Sequence, residues 1–375
     1  MRIGYDAKRY FNNSSGLGNY SRDLIRSMHE YYPDNDYILY TTKSKPTIDA
    51  SHLQIRTPRK SFLNKIFPSY WRSRGIIEYL QNDDIQVYHG LSGEIPIGIH
   101  KTEIRSVVTI HDLIFIRYPE LYKPLDRLIY AKKFRYAAER ADKVIAISEQ
   151  TKRDIINFLN IEEHKIEVIY QSCHPAFKQP ISEERKEEIK KRYQLPTNFI
   201  LNVGSVERRK NALQIVKAIE NQDIPLIIIG KKTPYMDEIK AYVATRALEK
   251  RVKFLKVDNM MDLAGIYQLA SIFVYPSTFE GFGIPLIESL YSGTPVITNR
   301  SGVFPEAAGP SSWYIDPTNI DEISHAIQSI LSSTTLEQQM RTNGLDYVQQ
   351  FNDDNITCKI QKLYQNLAND QISLF

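Results

Sequence analysis

Glu280 and Glu288 flank a glycine-rich turn in Phe279-Glu280-Gly281-Phe282-Gly283-Ile284-Pro285-Leu286-Ile287-Glu288. Gly281 and Gly283 permit backbone conformations and close approaches that a side chain blocks. Pro285 suits the first turn of a helix, and a helix start offers backbone N–H groups and a positive dipole end, a seat for phosphate. Carboxylates accept hydrogen bonds from hydroxyls. With the turn folded back, one glutamate can meet a sugar hydroxyl while the other reaches a ribose. A strand–helix turn with two solvated glutamates is the competing reading.

A second set of chemistry-bearing residues is Gly204-Ser205-Val206-Glu207-Arg208-Arg209-Lys210-Asn211. Arg209 and Lys210 can neutralise a diphosphate, Arg through its planar fork and Lys as a point charge. A solvated helix start is the alternative, but positive charge there opposes the helix dipole, which favours a bound anion. Thr109-Ile110-His111-Asp112 puts an imidazole after a β-branched run, where it can bond a hydroxyl or relay a proton near neutral pH. A structural histidine is the alternative. Gly16 and Gly18, in Ser15-Gly16-Leu17-Gly18-Asn19-Tyr20, match a dinucleotide fingerprint only in part, because Ser21 stands where a third glycine belongs. They fit a loop near a phosphate better.

The elements that must position these residues alternate along the chain. Short β-branched or aromatic runs lie near 2–6, 37–41, 85–89, 104–110, 143–147 and 165–169, with helical patterns at 18–31, 69–81, 124–140 and 149–159. A proline-bracketed, charged stretch at 174–197 reads as a linker and an exposed helix. A second series of strands follows near 199–203, 225–229, 252–256, 272–275, 295–298 and 312–315, with a helical tail from 319. Such alternation predicts an α/β chain of two doubly wound parallel sheets, with ligand at the carboxyl ends of the strands. The motifs at 279–288, 204–211 and 109–112 then sit just after strands, while Gly16 and Gly18 lie some ten residues beyond the first.

Taken together, FEGFGIPLIE at 279–288, GSVERRKN at 204–211, IHDL at 110–113 and the early GLGNY resemble the retaining glycosyltransferases of family 4. Gly293-Thr294-Pro295-Val296 and Pro305-Glu306-Ala307-Ala308-Gly309 fit the same pattern, and the resemblance runs from residue 1 to roughly 350. The IHDL, YHG and GSVE-x-RKN variants are most similar to the branch of O-chain mannosyltransferases. The resemblance implies a GT-B fold, two Rossmann-like domains facing across a cleft. They are expected at 1–173 and 174–354, with a helix of about 355–375 packed back on the first. It implies retaining, metal-independent transfer of a sugar from a nucleotide diphosphate, with GDP-mannose as first choice and no cofactor. The acceptor is a glycan or lipid-linked glycan of surface polysaccharide or lipopolysaccharide synthesis. A UDP-sugar donor such as UDP-glucose or UDP-N-acetylglucosamine, or a non-transferring nucleotide-sugar-binding protein, is the alternative.

Carried over by position, Glu280 contacts the donor sugar and Glu288 the ribose. Arg209 and Lys210 bind the diphosphate, with Gly204 and the backbone of Gly281, Phe282, Gly283, Ile284 and Leu286 completing the cradle. His111 lies beside the sugar, Gly16 and Gly18 near the phosphates, and Val257 and Asp258 at the base. Many family members carry Arg where this chain has Ser205, which removes one possible phosphate contact, and Pro where it has Arg208, which either compensates or faces solvent.

Composition limits the partners. Of 375 residues 42% are apolar and 25% charged, which excludes a disordered chain, and a net charge of +4 is too even for a dedicated nucleic-acid binder. Two cysteines without metal-type spacing and no apolar leader at Met1 are the signs of a reducing, cytoplasmic location. The Asp34-Asn35-Asp36 triplet reads as an exposed turn rather than a metal site. Residues 56–77 hold six basic and no acidic residues, with aromatics interleaved. That stretch (Arg59, Lys60, Lys65, Trp71, Arg72 and Arg74) is expected to touch anionic lipid on the inner face of a membrane. Lys123, Arg127, Lys132, Lys133 and Arg135 extend it. Aromatics packed in the core beneath solvated charges are the alternative.

Overall fold

Strand β1 (Arg2–Asp6) buries every residue after Arg2. Burial without alternation marks a strand covered on both faces, as in a parallel sheet. The computed structural model describes residues 1–13, 16–43, 53–59 and 70–372, with side chains to residue 369. Lys60 and Lys65 lie outside the described residues.

The chain divides into two units, Met1–Ser172 with Asn352–Phe375, and Cys173–Phe351. In the first, β1 is joined by β2 (Asp36–Tyr40), β3 (Gln54–Arg56), β4 (Val87–Gly90), β5 (Arg105–Ile110), β6 (Lys143–Ala146) and β7 (Ile166–Val168). Their order is β3-β2-β1-β4-β5-β6-β7, all pairs parallel. In the second unit β8 (Ile200–Val203), β9 (Leu226–Ile229), β10 (Val252–Leu255), β11 (Ile272–Tyr275), β12 (Val296–Asn299) and β13 (Trp313–Ile315) are ordered β10-β9-β8-β11-β12-β13, again parallel. Both are doubly wound sheets. The strand order reverses between β1 and β4 in one and between β8 and β11 in the other, and ligands bind at such switch points.

Helices cover both faces. In the helix Asp353–Ile372 the residues Ile356, Ile360, Leu363, Tyr364 and Leu367 recur at helical spacing and join the core of the first unit with Leu24, Ile25 and Met28. Tyr364 places its hydroxyl 2.5 Å from His89 Nδ1 on β4. The second unit's core gathers Ile200, Leu226, Ile228, Ile272, Val274 and Ile297 of the sheet against Ile215, Ile239 and Ile327 of its helices. Side-chain caps fix several helix starts: Ser148, Ser182, Asn259 and Asn319 each accept from a backbone N–H of the first turn.

Candidate functional site

The carboxyl ends of β8 and β11, at the switch point, carry Gly204–Lys210 and Pro276–Gly283. A 3-10 turn over Arg208–Lys210 turns two cations toward Glu280. Arg209 Nη1 lies 2.8 Å and Lys210 Nζ 3.4 Å from Glu280 Oε1. Ser277 Oγ donates to the same oxygen at 2.8 Å and Tyr275 OH at 2.9 Å. Four donors thus converge on Oε1. Among the described residues none is placed on Oε2, which is left to accept from a ligand hydroxyl. Burial pushes the Glu280 carboxyl up, but Lys210 and Arg209 beside it outweigh burial and hold it below the ordinary carboxylate value. Lys210 also donates to Tyr275 OH at 2.7 Å.

The turn is braced from behind. Arg209 Nη1 donates to the carbonyl of Phe279, and the Arg209 carbonyl accepts from Thr278 N at 2.9 Å. Asn299 Nδ2 donates to the Ser277 carbonyl at 3.1 Å. Gly204 has φ +144°, and a Cβ there would stand 3.1 Å from Lys210 Nζ and 3.2 Å from its Cδ. The lysine side chain therefore crosses close over this position, and a Cβ there would displace it by a few tenths of an ångström.

Gly283 takes φ +104° and heads the helix Ile284–Tyr291. The cradle is smaller than the sequence predicts. Leu286 spends its amide on the Gly283 carbonyl at 2.9 Å and buries its side chain, and Pro285 has no N–H. Ile284 opens that helix, with Gly281, Phe282 and Gly283 before it. Glu288, one turn on, is buried and accepts from Tyr267 OH at 3.1 Å. Arg208 points away, pairing with Glu238 at 2.6 Å at the surface. Asp258, in the loop after edge strand β10 with Val257, is exposed and paired with Lys256 at 2.9 Å. Neither it nor Val257 is brought against the charged cluster by any described contact.

In the first unit His111 follows β5. Its Nε2–H donates to the Leu91 carbonyl at 2.9 Å, and Nδ1 accepts from Gln171 Nε2 at 3.1 Å. The ring packs against the edge of Tyr20 at 4.6 Å. Burial lowers its pKa to about 4. Of the roles the sequence leaves open, this geometry favours the structural one over a proton relay: the protein occupies both nitrogens and burial favours the neutral ring. One ring edge still lines a cavity of about 180 Å³ with Arg9, Ser92, Glu94, Asp112 and Tyr130. Gly16 opens the helix Gly16–Tyr31, and a Cβ on Gly18 would fall 1.9 Å from the Asn13 carbonyl oxygen. Arg22, which sequence reasoning passed over, ties this turn by donating to Tyr10 and Asn13 carbonyls at 2.8 and 3.0 Å.

The expected lipid stretch is corrected at Trp71 and Arg72. Trp71 is buried in the first unit's core. Arg72 is mostly buried, 3.4 Å from Asp6 and paired with Glu94. Arg59 is exposed, its guanidinium 6.0 Å from the Tyr79 ring centre. Arg74 is exposed. A basic aromatic run gives no signal of which of its members face inward. Asn35 of the acidic triplet donates to Tyr37 OH and Gln361 Oε1, while Asp36 opens β2 beside Arg2 at 3.3 Å. Among the described residues no group of three or more His, Cys, Asp or Glu is placed to hold a metal ion. No helix among them is long and apolar enough to cross a membrane.

Known proteins resemble the chain along most of its length. The profile described as Glycosyltransferase Family 4 matches residues 14–176, and that described as Glycosyl transferases group 1 matches residues 184–346. The chain is 29% identical over 289 residues to O-antigen chain mannosyltransferase B of Escherichia coli, covering 75% of this chain and 74% of that protein. It is 28% identical over 227 residues, 60% of each chain, to O-antigen chain mannosyltransferase RfbU of Salmonella typhimurium. Among solved structures, sucrose-phosphate synthase from Thermosynechococcus elongatus superposes with a TM-score of 0.80 at 20% identity, over 98% of this chain and 99% of that one. Anabaena Alr3699/HepE, solved with UDP and glucose, gives a TM-score of 0.79 at 17% identity over 98% and 100%. These structures share the fold, GT-B. The two profiles, both of glycosyltransferases, together take in most of the chain, which belongs to the glycosyltransferases that they describe.

Proposed function

We propose that the protein is a retaining hexosyltransferase that moves mannose from GDP-mannose onto a glycan or lipid-linked glycan acceptor in surface polysaccharide synthesis. The observation that carries donor binding is the convergence of Arg209 and Lys210 on Glu280 at the second unit's switch point. The choice of mannose is supported by relatives named O-antigen chain mannosyltransferases.

In this reading the diphosphate lies against Arg209, Lys210 and the Gly281–Ile284 backbone. Glu280 Oε2 accepts from a sugar hydroxyl. Glu288, oriented by Tyr267, accepts from the ribose. As the bond from the anomeric carbon to the phosphate oxygen breaks, its electron pair stays on the diphosphate, where the two cations meet the growing charge. The departing oxygen takes the acceptor's proton, and the acceptor oxygen bonds to the same face of the sugar. His111, neutral and fixed, offers a shaped ring edge rather than a proton. The diphosphate's charge is met by side chains and backbone, so transfer proceeds without a divalent metal.

A UDP-sugar donor is the second reading, favoured by solved neighbours of the same fold that hold UDP or UDP-glucose. The test offers GDP-mannose and UDP-glucose to the protein with a mannose-terminated acceptor, in buffer with EDTA, and reads the new anomeric proton by NMR. An α-linked mannose from GDP-mannose supports the proposal. Transfer from UDP-glucose alone transfers the assignment to the second reading, and a β-linked product removes retention.

A further inference from the structure

The helix Pro124–Arg140 is apolar on two sides. Ala131, Phe134 and Ala138 face the core, with Phe134 at 5.1 Å from the Phe115 ring and Ala138 fully buried. Leu125, Leu128 and Ile129 lie on the opposite, outward face at spacings of three and four, 67%, 52% and 41% exposed. Leu121, just before the helix, is 50% exposed. Five of the eleven exposed large apolar side chains among the described residues fall within residues 121–130. Scattered exposed apolar residues need no explanation, but such a concentration marks an interaction surface.

Charge identifies the occupant. Residues 121–136 carry five basic residues (Lys123, Arg127, Lys132, Lys133, Arg135) against Asp126 alone. No carboxylate among the described residues lies within ion-pair distance of Lys123, Arg127 or Lys132. A leucine ridge bordered by cations suits the boundary of headgroups and acyl chains in an anionic bilayer. We propose that this helix is the lipid-docking element of the first unit, resting Leu121, Leu125, Leu128 and Ile129 on anionic phospholipid with its cations at the phosphates. Tyr130 and Phe134 of the same helix line the cavity beside His111, so an acceptor carried by lipid would arrive next to it. The docking itself does not depend on which sugar, if any, the protein transfers.

The experiment is cosedimentation of the full chain with vesicles of about 30% phosphatidylglycerol in phosphatidylcholine, and with phosphatidylcholine alone, at about 0.05 and 0.5 M salt. The wild type should bind the anionic vesicles at low salt and release at high salt. Leu125→Gln with Leu128→Gln, and separately Lys123→Gln with Lys132→Gln, should each lower partitioning by roughly tenfold or more, with melting temperature unchanged. Leu331→Gln, an exposed leucine of the second unit, should leave it as it was. Three results overturn the proposal: no binding by the wild type, equal binding to phosphatidylcholine, or either pair of variants binding like the wild type. Sedimentation velocity is run alongside. A wild-type dimer that the leucine pair dissolves would assign the face to a second copy of the chain and also overturn it.

Discussion

Arg209 Nη1 stands 2.8 Å from Glu280 Oε1, and the same oxygen holds Lys210 at 3.4 Å. One carboxylate thus serves as counter-ion to both cations before any ligand arrives. The arrangement pairs the two positive side chains at the switch point, and in the proposed reaction an incoming diphosphate meets charges already in place.

Removing that counter-ion should show in stability before it shows in chemistry. Glu280→Gln keeps the side-chain shape but leaves two mostly buried cations with one remaining carboxylate, Glu207, 3.7 Å from Arg209. Breaking a buried ion pair from one side costs on the order of 3 kcal/mol. The variant should melt several degrees lower, and GDP should raise its melting temperature more than the wild type's, because the anion replaces the lost charge. Equal melting temperatures would remove Glu280 from this role.

The same cluster sets a pH dependence. The Glu280 carboxyl is held below its ordinary value of about 4.5. Its contribution to stability is therefore complete above that pH and is lost as pH falls through the lower folded value. Denaturant titrations from pH 6 downward should show a steeper acid loss in the wild type than in Glu280→Gln.

His111 and His89 titrate with the same sign but in a higher window. Burial lowers them from 6.5 to about 4 and about 3, and each is stabilised as the neutral ring. Stability should be full above pH 6.5 and fall toward pH 4, by at most about 1.4 kcal/mol per pH unit for each histidine. His111→Gln should flatten this limb by one proton. A rate profile between pH 5.5 and 8 should show no titration that His111→Gln removes; one that it removes would restore a proton-relay role.

Gly204 should be sensitive in a way its small size does not suggest. Gly204→Ala adds a Cβ 3.1 Å from Lys210 Nζ at φ +144°. A side chain held in that region costs about 1–3 kcal/mol, and the lysine must move. Nucleotide affinity, read by calorimetry, should fall together with stability. Unchanged affinity would show that Lys210 does not need this path.

Much of the fold was legible because the strands are dense in β-branched residues. Ile227-Ile228-Ile229 and Val107-Val108 read as buried strands without help. β3 was not legible: Gln54–Arg56 is a short edge strand with polar ends and no run for periodicity to detect. Among site residues, Glu280 and Arg209 were each read as facing a ligand. Their direct pairing was not readable, because it is made by a sheet that brings distant turns together. Tyr275 and Ser277, which hold Glu280, read as a strand residue and a loop residue. For His111 a hydroxyl contact, a proton relay and a structural role stayed open in the sequence, because its two partners, Leu91 and Gln171, are fixed by neighbouring turns. In the basic run at 56–77 the inward turn of Trp71 and Arg72 was hidden for a similar reason. The helix beyond it, with leucines outward on a face that its other apolar positions obscure, bears the exposed ridge.

The most direct test of the account is the rate of mannose transfer from GDP-mannose by the wild type and by Lys210→Ala. Lys210 is predicted to meet charge that develops as the sugar departs, so its loss should slow turnover by about 10²–10³, roughly 2.7–4 kcal/mol, with the melting temperature nearly unchanged. A Lys210→Ala rate within about threefold of the wild type's, less than 1 kcal/mol, would contradict the assignment of the donor site.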